Sequence, residues 1–129
     1  MPQTSTITVE ENLFVVGSSH QTAPLDVREK IAIDPARMDE LYRKLTGLRN
    51  LDEFLVLNTC NRTEIYGVSH SDDAREQVAR LFLDFHGLDP DAFKEYIFNR
   101  VNYQAVEHIF QVSSGIDSQM VGETEIFGQ

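Results

Sequence analysis

One cysteine in 129 residues excludes an intramolecular disulfide. A chain without that staple belongs in a reducing compartment, which points to the cytosol. Basic residues are also scarce: 11 Lys and Arg stand against 21 Asp and Glu, a net charge of −10. That balance argues against a surface that tracks a nucleic-acid backbone, although a local basic pocket is compatible with it. No apolar run approaches the length of a membrane span. The opening "MPQTSTITVEEN" has no basic start followed by an apolar stretch, so it does not read as a signal peptide. Glycine-rich phosphate loops of the forms G-x-G-x-x-G and G-x-x-x-x-G-K-[ST] are missing, and so are Cys/His pairs at metal spacing. Nucleotide and zinc chemistry have no local support.

What remains is the composition of one ordinary globular domain, 41% hydrophobic and 25% charged. Residues 1–12 are polar and aperiodic and are expected to form a flexible leader. "LFVVGSS", Leu13 to Ser19, reads as a buried strand feeding a loop. Pro24 opens a short helix with Leu25, Val27 and Ile31 as its apolar face. Asp34-Pro35 opens another, with Met38, Leu41 and Leu45 at helical spacing and Gly47 as its stop. Phe54 to Asn58 is apolar on both faces, so a central strand is expected. A four-residue connection then leads to a partner strand, Thr63 to Ser69, in a hairpin.

Ala74, Val78, Leu81, Phe82 and Phe85 repeat at i, i+4, i+7, i+8 and i+11, an amphipathic helix ended by Gly87. Asp89-Pro90 begins a turn, and "YIFNRV" has strand composition. Asn102 is expected to cap a last helix with Ala105, Val106, Ile109 and Phe110 on its apolar side. The first six elements, β-α-β-β-α-β, give an α+β fold of the ferredoxin-like split βαβ type. Its antiparallel sheet should carry helices packed on one face, with a C-terminal helix added. Residues 13–115 form this domain. Apolar residues still arrive at Ile126-Phe127, so residues 116–129 read as a loop and the start of a helix that continues in a longer protein.

Cys60 stands just past the apolar run of "FLVLNTCNRTEIYG". A free cysteine is usually a small buried hydrophobe. A connection after a buried strand is instead exposed backbone, where reactive groups are displayed. Arg62, two residues on, can stabilise a thiolate or grip a carboxylate with its planar fork. Thr59 and Asn61 add hydrogen-bonding capacity. His108 flanks the apolar side of its helix, either as a boundary histidine with one nitrogen in water or as an acid–base group facing a cleft. His20, in the loop after the first strand, competes for that role, while His70 and His86 look superficial. Ser118, Glu123 and Gln129 belong either to a polar loop or to a substrate site.

Three segments together resemble one family, the glutamyl-tRNA reductases. "GSSHQTAPLDVREK" resembles that family's opening G-x-x-H-x-T-A-P with its R-E pair. "LNTCNRTEIYG" resembles its active-site segment, and "HIFQVSSGIDSQMVGETEIFGQ" its third signature. The resemblance runs from Gly17 to Gln129 and implies an N-terminal catalytic domain of an NADPH-dependent oxidoreductase. Such an enzyme converts glutamyl-tRNA(Glu) to glutamate-1-semialdehyde, the first step of tetrapyrrole (haem, chlorophyll) synthesis by the five-carbon route. It implies Cys60 as the nucleophile that forms a glutamyl thioester, and His108 as the histidine that assists proton transfer or activates the thiol. It also implies substrate contacts from Thr59, Asn61, Arg62, Ser118, Glu123, Thr124, Glu125 and Gln129, with Arg62 as the partner of the glutamate carboxylate. Glu125 departs from the family's usual glutamine, and a carboxylate there would repel an anionic substrate.

NADPH would be bound by a domain outside these residues, and a further domain would make the full-length protein a cytoplasmic homodimer. Handover to a downstream glutamate-1-semialdehyde aminomutase and independence from membranes are implied as well. The rival reading is a non-catalytic ferredoxin-like module that binds an amino acid or a partner, with Cys60 incidental.

Overall fold

The computed structural model describes residues 12–114. Ferredoxin-like order is realised in a four-stranded sheet, β2-β3-β1-β4, in which every neighbouring pair is antiparallel. The strands are β1 (Asn12–Ser19), β2 (Leu51–Asn58), β3 (Arg62–Ser69) and β4 (Phe98–Val101). The helices are α1 (Leu25–Ile31), α2 (Met38–Thr46), α3 (Asp73–Phe85), the single turn α4 (Pro90–Phe93) and α5 (Tyr103–Ser113). Asn12, placed in the expected leader, belongs to β1; residues 1–11 lie outside the described part.

Strand alternation divides the sheet chemically. Phe14 and Val16 of β1, Val56 of β2 and Ile65 of β3 point to one face. There they meet Val27 and Ile31 of α1, Leu41 and Leu45 of α2, and Val78 and Phe82 of α3. The helices between strands therefore share one face, as expected. The opposite face carries Val15 and Phe98, over which α5 lays Ala105.

Three local expectations change. β2 is an edge strand, although its run is apolar on both sides. Leu55 is accordingly left 59% exposed, and the ladder slips between Leu51 and Glu53. Such an irregularity is one way an edge strand avoids further pairing. Asn102 occupies the position before α5 without capping it. Its Oδ1 instead accepts from the Leu13 N–H at 3.2 Å, and its φ of 50° is the only positive value at a non-glycine among the described residues. The sheet edge thus holds Asn102 at a positive φ, which asparagine tolerates better than most residues.

The third change concerns α5 itself. Its buried positions are Ala105, His108 and Val112. Val106 and Phe110, expected inward, are 39% and 69% exposed. The helix is rotated so that a histidine faces the sheet, because a buried carboxylate waits there.

Candidate active site

β2 and β3 are joined by three residues, Thr59–Asn61, because Arg62 already belongs to the ladder opposite Ser19. The Thr59 side chain holds this turn together. Its Oγ1 accepts from Asn61 N–H at 3.3 Å and Arg62 N–H at 3.2 Å, while its own N–H donates to the Arg62 carbonyl at 2.8 Å. Asn58 braces the turn from below, with Oδ1 accepting from Ile33 N–H and Thr63 Oγ1–H, and Nδ2 donating to the Ile33 carbonyl. The loop after β1 contributes a bond from His20 N–H to the Asn61 carbonyl at 3.0 Å. Arg28 reaches from α1 to donate through Nη1 to the Cys60 carbonyl at 3.3 Å. Cys60, at the apex, is exposed. Its main chain is fixed and its thiol is free to meet a reactant, which answers against the buried-hydrophobe alternative.

Beside it lies a cavity of about 210 Å³. Leu25, Ile31 and Ala32 form its apolar wall; Ser18, Arg28, Thr59 and Arg62 are among its polar residues. Leu25, assigned from the sequence to the core of α1, is 59% exposed and sits at this rim instead.

Arg62 differs from the exposed loop arginine that was expected. It is a strand residue with its side chain only 1% exposed, and Nη1 donates to Glu64 Oε2 at 2.9 Å. Glu64, fully buried, is the hub the sequence reading missed. His108 Nε2 lies 2.7 Å from the same Oε2, and Tyr66 donates its hydroxyl to Oε1 at 2.6 Å. An ionised carboxylate only accepts, so the His108 proton at this contact sits on Nε2. Burial alone would push the Glu64 carboxyl upward. The hydrogen bond and charge of His108, the Tyr66 hydroxyl and the Arg62 guanidinium together outweigh it and hold Glu64 below its ordinary value.

The available signal was period two: Arg62, Glu64 and Tyr66 share one face of β3, opposite charges two residues apart. Gly17, paired with Glu64 across the ladder, makes room for the carboxylate. A Cβ there would collide with the Thr63 carbonyl and press on the Glu64 backbone and side chain.

His108 is buried rather than half in water, and it does not line the Cys60 cavity. It faces a second, polar hollow of about 190 Å³ with Ser19, Thr22, Arg100 and Gln111 among its walls. The two hollows are joined through Arg62, Glu64 and His108 in a hydrogen-bonded row. His20 has a buried Nδ1 with no partner among the described residues. His86, expected at the surface, has an equally buried and unpartnered Nε2, whereas His70 is exposed beside Asp52. Asn61 supplies a carbonyl to the loop clamp and is not among the residues lining either hollow. Ser118, Glu123, Thr124, Glu125 and Gln129 lie outside the described residues.

Neither of these two hollows fits a dinucleotide. β1 feeds a Ser-Ser-His turn rather than a glycine loop, the sheet is antiparallel, and both hollows fall below the usual range for a ligand of that size.

Fold and site together define an α+β domain of the ferredoxin-like kind that presents one clamped, exposed thiol over a partly cationic cavity. Residues 16–129 match the family model described as glutamyl-tRNA(Glu) reductase, N-terminal domain. The chain belongs to that family. It is 42% identical over 118 residues to glutamyl-tRNA reductase of Heliobacterium mobile, covering 91% of this chain and 27% of that protein. The Carboxydothermus hydrogenoformans reductase is also 42% identical, over 91% of this chain and 26% of its own length. Among solved structures, glutamyl-tRNA reductase from Methanopyrus kandleri superposes with a TM-score of 0.64 at 29% identity, covering 91% of this chain and 26% of that one. The chain therefore spans about a quarter of the relatives it matches.

Proposed function

We propose that this domain performs the acyl-transfer half of glutamyl-tRNA reduction, with Cys60 as nucleophile. The observation that carries this reading is the exposed Cys60 held at the apex of a turn clamped by Thr59, His20 and Arg28. The Cys60 sulfur, as thiolate, forms a bond to the glutamyl ester carbonyl carbon, and the ester C–O bond to the terminal ribose breaks. The ribose oxygen takes a proton and deacylated tRNA departs, leaving a glutamyl thioester. Arg62 is proposed to line the acyl site with its charge already matched by Glu64. His108 positions that carboxylate from the far side and so acts on Cys60 through Glu64 and Arg62 rather than by touching it.

Family membership supports extending the reading to the whole protein. NADPH would be held outside residues 12–114 to reduce the thioester to glutamate-1-semialdehyde for tetrapyrrole synthesis. The same extension covers a cytoplasmic homodimer that passes its product to an aminomutase, with Ser118, Glu123, Thr124 and Gln129 completing the substrate site. Without NADPH the thioester is open to water, so the full-length protein should release glutamate slowly from glutamyl-tRNA. Wild type is expected to do so and Cys60→Ala not; equal rates would sink the assignment.

A further inference from the structure

α2 and α3 pack on the same face of the sheet, and a groove of about 600 Å³ is lined by residues of both. Four of the chain's 11 basic residues line it, Arg37, Arg43, Lys44 and Arg80, although acids outnumber bases in the chain as a whole. Only Glu40 and Asp84 oppose them there. Arg37 and Glu40 are committed to each other: Nε donates to Oε1 and Nη2 to Oε2, both at 3.1 Å. Arg37 also ties one end of the groove together. Its Nη1 donates to the Phe85 carbonyl at 3.2 Å, and its guanidinium lies 4.0 Å from the centre of the Phe85 ring.

The other three cations are in a different state. Arg43, Lys44 and Arg80 are exposed, and none makes a hydrogen bond or ion pair among the described residues. Facing one uncommitted acid, Asp84, they make a positive strip in a chain of net charge −10. Long, solvated cations of this kind suit a row of phosphates, whose charge they neutralise without reading base edges. Their place suits the carrier of an ester delivered to Cys60. The Arg37 end of the groove follows Ile33, whose main chain is bonded to Asn58, two residues before Cys60. From there α2 runs back along β2, an eight-residue strand about 26 Å long, so Arg43 and Lys44 lie toward its Leu51 end. α1, in the same helical layer, supplies the apolar wall of the Cys60 cavity.

We propose that the α2–α3 groove is a docking surface for RNA backbone, along which the tRNA lies while its acylated end reaches Cys60. Arg43, Lys44 and Arg80 neutralise its phosphates, and Gln77, exposed on the same wall, adds a neutral donor. The surface reads charge rather than sequence. RNA as the occupant rests on the function proposed above; the affinity of the groove for a polyanion does not.

Deacylated tRNA separates the two, because its binding needs no chemistry at Cys60. In the full-length protein, affinity for fluorescently labelled tRNA(Glu) is followed by anisotropy across a sodium chloride series. The triple variant Arg43→Gln, Lys44→Gln, Arg80→Gln should weaken binding about tenfold. It should also lower the slope of log affinity against log salt by about 2, the counterion release of three phosphate contacts. Arg43→Lys with Arg80→Lys should keep both values, since these contacts need charge rather than a planar fork. Lys30→Gln, Arg75→Gln and Lys94→Gln together remove the same charge outside the groove and should leave both values near wild type. Equal losses in the two triple variants overturn the groove, because they report net charge alone. So does an unchanged affinity and slope in the groove variant. Loss of binding to polyglutamate with tRNA binding intact would assign the groove to an acidic protein and overturn it as well. The expected losses, found in a protein whose Cys60 takes no glutamate from tRNA, uphold the groove, and it is then the proposed function that fails.

Discussion

Glu64 accepts a hydrogen bond from each of three side chains, so its replacement leaves more than one group unsatisfied. Glu64→Gln keeps the shape but removes the charge opposite a guanidinium that is 1% exposed. Removing the carboxylate charge from this buried ion pair should cost about 3 kcal/mol, read from the urea midpoint. The same residue predicts an acid dependence with a definite sign. Its folded-state carboxyl is held below the ordinary 4.5, with burial opposing and His108, Tyr66 and Arg62 prevailing. The unfolded chain therefore binds that proton first as pH falls. The stability Glu64 contributes is complete above about pH 4.5 and is lost as pH drops through its depressed folded value. Glu64→Gln should flatten that part of the profile. His108→Asn should leave the fold intact through the Arg62–Glu64 pair while slowing acylation of Cys60, and an unchanged rate would remove His108 from the mechanism.

At the scale of elements, the contact between β1 and β3 depends on Gly17. Gly17→Ala would push a methyl group into the Thr63 carbonyl and Glu64, which should destabilise the domain by about 2 kcal/mol and disturb the Glu64 cluster with it. The end of α3 carries a separate pH signal. Burial, and then the charge of Arg37, push the His86 imidazole down to about 4 from 6.5. The unfolded chain takes up that proton first, so stability should fall as pH drops from about 6.5 toward 4. His86→Phe, keeping the edge-on ring contacts with Phe82 and Phe85, should remove the loss between pH 6.5 and 5, a window in which Glu64 stays ionised.

Periodicity revealed α2, α3 and the hairpin because apolar spacing there coincides with burial: Leu41, Leu45, Val78 and Phe82 are all in the core. The same rule misplaced α5. Hydrophobic spacing cannot express that a histidine is drawn inward by a carboxylate on another element. It likewise assigned β2 to the centre, since an apolar strand at an edge and one in the middle have the same pattern. Cys60 and its motif were legible. Its clamp was not, because Arg28 and His20 reach it through backbone carbonyls, which any sequence possesses.

For the whole molecule, a net charge of −10 coexists with a cavity lined by two arginines, Arg28 and Arg62. A local cationic lining thus sits within a chain that is acidic overall. No helix among the described residues is long and apolar enough to cross a membrane. The central claim is that Cys60 carries the acyl group, and the most direct test is to trap that adduct. Full-length protein should be incubated with glutamyl-tRNA in the absence of NADPH, quenched in acid and analysed by peptide mass spectrometry. A glutamyl increment is expected on the peptide holding Cys60, removed by neutral hydroxylamine and absent from Cys60→Ser. A Cys60→Ser protein that still reduces glutamyl-tRNA, or an increment on a different residue, would contradict it.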